Sequence, residues 1–452
     1  MDLFLSGIKE AVKKFRQLPK KPIRIISQLD ADGLSSAAIL IKAFSREDLN
    51  FSVSFVRQLT YSFLDELKRE DYETFFFLDL GSAMLKDIEK RLKEKNIFVL
   101  DHHVYEDYKG EIINLNPSKS LNYEDVSSSG ISYLFARELN EKNKELGFLA
   151  LAGALGDNQE RNEFFGLNKI ILEEAVENKY IEVKEDFYIF GSRNRPIYKA
   201  LQYCFEPYIP GVTGKEEGAI NFLKEIGIEI KNENGFRKIS ELSGDELKKI
   251  IPAVILKRIG SEEEPENIFR KAYILNNNEF NDLREFSTLL NACARLNKTS
   301  LGVSFCLDKE KAREDGTKIL DEYRNKIGKS LEWFYKNKDK FIEAKNYVII
   351  NAENNIDINI AGVVASLISH SNVYEKGKMI FVMANNVIGE TKISGRVSGG
   401  KDVDIRSKLV KITKKIGDYV SGGHSVACGS TIPQEKENEF IEVATKVLSE
   451  EE

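Results

Sequence analysis

Ile97-Phe98-Val99-Leu100-Asp101-His102-His103 decides the reading of this chain: four apolar residues run straight into a carboxylate and two adjacent imidazoles. An apolar run this short reads as a strand buried on both faces, as in parallel sheets, so the polar triplet falls at the strand's C-terminal end. Two earlier runs repeat the pattern. Ile23-Arg24-Ile25-Ile26 leads into Asp30-Ala31-Asp32-Gly33, and Phe75-Phe76-Phe77-Leu78 leads into Asp79. The carboxyl ends of parallel strands share one edge of a sheet, so acidic and imidazole side chains from three strands are expected to meet there. The triplet takes up half of the four histidines in the chain.

Working outwards, helical patterns at Leu34–Phe44, Ser62–Arg69 and Ser82–Lys95 fill the gaps between these strands and Phe51–Val56. The alternation predicts a parallel α/β sheet. Helices at Ser129–Asn140 and Leu146–Leu155 follow, the second leading into Gly156-Asp157-Asn158. After about residue 185 the pattern changes: Gly191-Ser192-Arg193-Asn194-Arg195-Pro196 punctuates the chain, and a mostly helical stretch with charged faces runs to about 325. Beyond 345 the α/β character returns, with strands at Tyr347–Ile350, Met379–Ala384 and Lys392–Val397 and helices at Ile360–Ser369 and Ile405–Ile416. The 452 residues are too many for a single core, and three domains are expected, at 1–188, 189–328 and 329–452.

Composition excludes several classes. Hydrophobic content of 42% is ordinary for a globular chain, and no apolar run approaches a membrane span. The N-terminal segment reads as an amphipathic helix, with Leu5, Ile8, Val12 and Phe15 inward, rather than a signal peptide. The four cysteines (Cys204, Cys293, Cys306, Cys428) lack Cys-x-x-Cys spacing and are expected to be reduced, buried thiols of a cytoplasmic protein. A net charge of −6 argues against a broadly basic nucleic-acid surface but leaves room for a local phosphate groove.

Taken singly, an Asp-x-Asp-Gly is a common turn and an Asp after a strand a common helix cap. Here Asp30, Asp32, Asp79, Asp101-His102-His103 and Asp157 occur in order, each at the end of an element. Carboxylates so crowded persist only if protonated or neutralised by cations. A mixed oxygen and imidazole set suits Mn²⁺, with Mg²⁺, Fe²⁺ or Co²⁺ as lesser options. Two such ions could activate water and stabilise a phosphoryl leaving oxygen. In the C-terminal region Ser394-Gly395-Arg396 follows a strand, and Gly422-Gly423-His424 is expected in a loop. Glycines admit a phosphate close to the backbone, and Arg adds a two-pronged clamp. Arg406, Lys408, Lys411, Lys414 and Lys415 form a basic run beside them, which reads equally well as a solvated helix face.

These residues resemble the DHH phosphoesterase superfamily, in which motifs of this type hold a pair of manganese ions. The resemblance implies that Asp30 binds one metal, that Asp32, His102 and Asp157 bind the other, and that Asp79 bridges them. His103 would face the scissile phosphate, with Asp101 orienting its neighbouring imidazole. Family members commonly carry a His two or four residues before the leading Asp; here those positions are Gln28 and Ile26. The C-terminal set resembles the DHHA1 substrate-binding domain, with Ser421 in place of a first glycine. Ser394, Arg396, Gly422, Gly423 and His424 would then hold substrate phosphates, in a cleft between the two α/β domains. Pro207–Gly214 and Leu290-Asn291-Ala292-Cys293-Ala294-Arg295 look like segments of archaeal RecJ-like nucleases, which carry an inserted domain linked to replication-fork partners such as the GINS complex.

The expected function is a Mn²⁺-dependent exonuclease that releases nucleotides from single-stranded DNA or RNA in replication or repair. Two further readings are a largely non-catalytic replication-fork scaffold and a phosphoesterase of short oligonucleotides or nucleotides.

Overall fold

The computed structural model describes residues 1–105, 108–117, 125–160, 163–187, 196–204, 207–233, 235–260, 265–266, 268–276, 282–307, 312–371, 373–399, 403–417, 419 and 421–449. The glycine- and arginine-bearing stretch 191–195 lies outside them. The chain packs as two compact units, Met1–Asp186 with Arg270–Leu320, and Phe187–Phe269 with Asp321–Glu452. The expected middle span, 189–328, is thus divided between both units. Among the described residues no helix is long and apolar enough to cross a membrane.

In the first unit, β1 (Ile23–Gln28), β2 (Phe51–Val56), β3 (Thr74–Leu78), β4 (Asn96–Leu100) and β5 (Ile113–Leu115) form a wholly parallel sheet in the order β2-β1-β3-β4-β5. Three consecutive phenylalanines in β3 serve both faces. Phe76 stacks on Phe98 of β4 at 4.6 Å, amid Phe15, Phe44 and Phe135 from α1 (Asp2–Gln17), α2 (Ala31–Arg46) and α5 (Ser128–Leu139). Phe75 and Phe77 pack on the opposite face with Leu64 and Leu67 of α3 (Tyr61–Leu67) and Ile88 of α4 (Leu85–Arg91). Each such ring contributes about 1.5–3 kcal/mol by burial, which makes the register of β3 hard to slip.

The strand order reverses between β1 and β3, the place where an open α/β sheet leaves a crevice at its carboxyl edge. Behind that crevice stand α2, α5 and α6 (Gly147–Gly156), followed by α7 (Gly166–Glu177). Two later helices complete the unit: α8 (Leu283–Arg295) and α9 (Thr299–Leu307). The apolar stripe of α8 buries Leu283, Phe286, Leu289, Leu290 and Cys293, and Phe286 meets Phe148 of α6.

The second unit contains a helical module, Ile197–Gln202, Glu216–Glu225 and Gly244–Arg258, around Leu201, Phe222, Leu223, Ile250 and Val254. Its sheet comprises β6 (Ile342–Glu343), β7 (Tyr347–Asn351), β8 (Met379–Asn385), β9 (Glu390–Val397), β10 (Ser421–His424) and β11 (Ala427–Pro433), in the order β6-β7-β8-β9-β11-β10, with only β7 and β8 parallel. Helix α10 (Ala361–His370) lies against β8 and β9. Helices α11 (Ile405–Ile416) and α12 (Glu437–Ser449) share a core with Phe381, Met383, Ile393 and Cys428. All four cysteines are buried and unbridged.

Candidate metal centre and phosphate-binding face

Asp30, Asp32, Asp79, His102, His103 and Asp157 meet at the crevice between β1 and β3. Asp30 caps α2, its Oδ1 accepting the Gly33 N–H at 2.9 Å, so Asp32 stands in the first helical turn rather than in the turn expected from its glycine. Asp32 is fully buried and lies at the N-terminus of α5. The N–H groups of Ser128 and Ser129 donate to its two oxygens at 2.8 and 3.0 Å, and the Ser129 hydroxyl donates to Oδ1. A Cβ on Gly153 of α6 would fall 2.1 Å from Ser129 Oγ and 2.3 Å from Asp32 Oδ1, so only glycine lets α6 close on this carboxylate.

Asp79 leaves β3 with φ of +60°, a left-handed conformation that Asp tolerates better than most residues. Its N–H donates to Leu100 O at 2.9 Å, which ties it to the end of β4. The side chain is 1% exposed. The Gln28 amide, in the orientation that satisfies both its polar atoms, donates to Asp79 Oδ2 at 3.0 Å and to the Asp79 carbonyl at 2.6 Å. Asp79 Oδ1 is left buried with no hydrogen-bond partner.

The two histidines have different partners. His102 is buried; Gln159 Nε2 sits 2.8 Å from its Nδ1, and Asn168 Nδ2 donates in turn to Gln159 Oε1 at 2.9 Å. That amide chain turns Nε2 towards Asp157 Oδ2 (3.1 Å) and Asp79 Oδ1 (3.8 Å). His103 is half exposed, its Nδ1 2.7 Å from Asp101 Oδ1. Asp101 is anchored by the Ser82 N–H at 2.9 Å, so it steers His103 and not His102.

Ligand atoms of Asp32, Asp79, His102 and Asp157 all lie within 4.8 Å of one another, as do those of Asp79, His102 and His103. Burial and the neighbouring carboxylates push Asp30 and Asp79 above the ordinary range and Asp32 up to about 7. Burial works against the charged imidazole of His102, but Asp157 and Asp32 outweigh it and raise the ring to about 10. Asp101 is the exception: burial opposes its charge, yet the His103 hydrogen bond and nearby imidazoles hold it below the usual range. The donor set, the orphaned Asp79 oxygen and the clustered carboxylates fit a divalent cation, whose charge would replace the protons now shared among these groups.

Sequence reasoning missed several supports: the Ser127-Ser128-Ser129 run, Gln159, Asn168, Asn291 and Arg284. Asn291 Oδ1 of α8 accepts the Ala31 N–H at 3.2 Å, beside Asp30. Arg284 pairs with Glu160, which also accepts the Tyr273 hydroxyl at 2.7 Å, so α8 braces the segment after Asp157 as well. Of these supports, only the triple serine ahead of a helix left a signal in the sequence.

The C-terminal set lies in the other unit. Gly422, Gly423 and His424 belong to the exposed edge strand β10, not to a loop. In register, Ser394 stands opposite Gly429, which faces Gly422, while Arg396 stands opposite Ala427, which faces His424. Ser394, Arg396, Gly422 and His424 therefore share one sheet face, opposite the core that holds Ile393 and Cys428, whereas Gly423 stands opposite Cys428. Gly423 has φ of +113°, and a Cβ there would meet Ala427 O at 2.4 Å. Ser394 is buried. Arg396 donates to Ser366 Oγ (2.8 Å), Gly362 O (3.1 Å) and Gly395 O (2.8 Å), binding β9 to α10 instead of presenting an open fork. On α11, Arg406, Lys411, Lys414 and Lys415 are exposed and Lys408 partly so.

Three domain families match: the DHH family, N-terminal domain, over residues 22–154; the DHH-CID domain over 189–270; and the DHHA1 domain over 344–450. An uncharacterised protein of Methanocaldococcus jannaschii is 30% identical over 444 residues, covering 95% of this chain and 93% of its own. Among solved structures, CDC45 from Entamoeba histolytica superposes with a TM-score of 0.68 at 13% identity, over 98% of this chain and 97% of that one. RecJ from Thermus thermophilus in complex with Mn²⁺ gives 0.61 at 15% identity, over 98% of this chain and 55% of that one. An exonuclease RecJ bound to manganese gives 0.59 at 14%, over 97% and 93%.

Proposed function

Because this chain belongs to the DHH–DHHA1 phosphoesterase superfamily as a RecJ-like member, we propose that it is a metal-dependent phosphodiesterase releasing nucleotides from the end of single-stranded DNA or RNA. One observation carries the reading: a buried carboxylate cluster with an orphaned Asp79 oxygen lies next to a half-exposed imidazole. Asp32, Asp79, His102 and Asp157 would hold a divalent ion, Mn²⁺ by the softness of the set, with Mg²⁺ or Co²⁺ as substitutes. Bound there, such an ion supplies charge neutralisation at the phosphodiester and lowers the pKa of water.

The remaining work falls to the chain's own residues. Asp101 fixes the ring of His103 and favours its protonated form, so that a positive imidazole edge meets the phosphate. In the other unit, Gly422, Gly423 and His424 are proposed to hold substrate phosphates, with the backbone of β10 giving close approach and Arg396 fixing β9 against α10 behind them. The place of such an activity would be replication or repair, with GINS-like replisome proteins as partners of the helical module.

The test is end-labelled single-stranded DNA and RNA incubated with Mn²⁺, the products resolved by length. Stepwise release of mononucleotides is expected, and its absence on both strands under every divalent ion would sink the exonuclease reading. The likeness to CDC45 favours a second reading, a replication-fork scaffold with little catalysis. Elemental analysis that finds no bound or bindable Mn²⁺ would favour that reading. Turnover of a dinucleotide faster than of a long strand would move the substrate to short oligonucleotides.

A further inference from the structure

The cluster offers its donors unevenly. Among the described residues, the four-donor set is Asp32, Asp79, His102 and Asp157, and the three-donor set is Asp79, His102 and His103; neither includes Asp30. Asp30 already spends Oδ1 on capping α2. With the Gln28 amide in the orientation that satisfies both its polar atoms, the far oxygen of Asp79 is spent as well, since Gln28 then donates to Oδ2 and to the Asp79 carbonyl. Gln28 ends β1 and is held in the ladder opposite Val56 of β2. An amide that turns its N–H groups on a carboxylate oxygen presents positive hydrogens at the spot where a cation on that oxygen would sit. The oxygen left without a partner, Oδ1, faces His102 Nε2 and belongs to the four-donor set.

We infer that this chain holds one divalent ion tightly, in the Asp32–Asp79–His102–Asp157 set, and that Gln28 positions Asp79 for that ion while closing the side where a second would bind. The inference rests on the metal-centre reading above and refines its stoichiometry. Gln28 is a positioning residue: it acts through Asp79 and donates where a ligand would accept.

The experiment compares the full chain with Gln28→His and Gln28→Ala. Bound manganese per chain is measured at stepped free Mn²⁺ by elemental analysis, with electron paramagnetic resonance to separate isolated from coupled ions and circular dichroism to confirm the fold. The unaltered chain should saturate at about one ion with an isolated-ion spectrum, and Gln28→His should double that to about two, spin-coupled. Gln28→Ala should stay at about one ion but bind it about 10-fold more weakly, the usual effect of losing a group that holds a ligand. Should Gln28→His not fold, Gln28→Asp supplies a donor at the same place. Two equally tight ions in the unaltered chain would overturn the inference and leave the metal centre standing. An unchanged affinity in Gln28→Ala, or a folded Gln28→His that gains no ion, would also overturn it. No bound ion in any chain would overturn it together with the metal-centre reading.

Discussion

Asp79 and His424 are both polar residues at the edge of a sheet, yet their surroundings differ in kind. Asp79 is 1% exposed, holds a left-handed backbone and is tied by its N–H to β4 and by its side chain to Gln28. His424 is exposed on an edge strand paired along one side only. The candidate metal cluster is held in place by a dense set of protein hydrogen bonds, as preorganisation requires. The proposed phosphate-binding face is glycine backbone left open. Changes at the four proposed ion ligands should therefore move folding, ion affinity and turnover together, and changes on the open face should move substrate affinity alone.

The largest expected effect tests the first half of that contrast. Asp79→Asn removes the shared carboxylate, and Mn²⁺-dependent nucleotide release should fall by about 10²–10³-fold or more, the scale of losing a preorganised electrostatic partner. Undiminished release in a discontinuous assay would remove Asp79 from the machinery. Asp101→Asn comes next: His103 loses its anchor, and turnover should drop about 10–100-fold with ion affinity nearly unchanged. Because Asp101 raises His103, the limb of the pH profile that reports this ring should move to lower pH; a limb that stays put would mean that another group governs it.

Gly153→Ala probes packing and chemistry at once. A methyl group 2.1 Å from Ser129 Oγ should cost about 1–3 kcal/mol of stability, read by thermal melting, and should weaken Mn²⁺ binding in the same protein. A melting point that falls without loss of affinity would uncouple what the contrast joins. The protons of the metal-free cluster give a fourth check. An incoming ion must displace protons from His102, raised to about 10, and from Asp79, held well above the ordinary carboxylate range, and below about 7 also one from Asp32. Affinity should thus rise with pH, with about one more proton released per ion below pH 7 than above it, measured by calorimetry in buffers of different ionisation enthalpy. The smallest effect belongs to the open face: His424→Ala should raise KM for single strands several-fold, about 1 kcal/mol of binding, and leave Mn²⁺ affinity untouched.

Much of this was legible because burial on both sheet faces leaves a plain mark. Phe75-Phe76-Phe77 and Ile97–Leu100 read as buried parallel strands, whose polar ends then share an edge. The histidine pair and the spaced aspartates were legible for the same reason. Gln159, Asn168, Asn291 and Arg284 were not, since an amide or guanidinium that braces a ligand looks like any surface residue until the chain has folded. The strand at Gly422–His424 was hidden by its glycines, which weaken every strand propensity and read as a turn. The pairing of Asp101 with His103 rather than His102 depends on side-chain rotation, which no spacing records.

The hydrogen bond from Ala31 to Asn291 spans 260 positions of sequence. Translated at about 5–20 residues per second, the segment that braces the loop after β1 leaves the ribosome some tens of seconds after that loop does. Until then the faces of α2 and α6 that α8 and α9 will cover stand open. A nascent chain interrupted near Asp186 would have all of its acidic motifs and none of this brace. Maturation of the centre is thus timed by the length of what lies between its halves, and a ribosome that stalls in the intervening stretch leaves a chain for chaperones to shield.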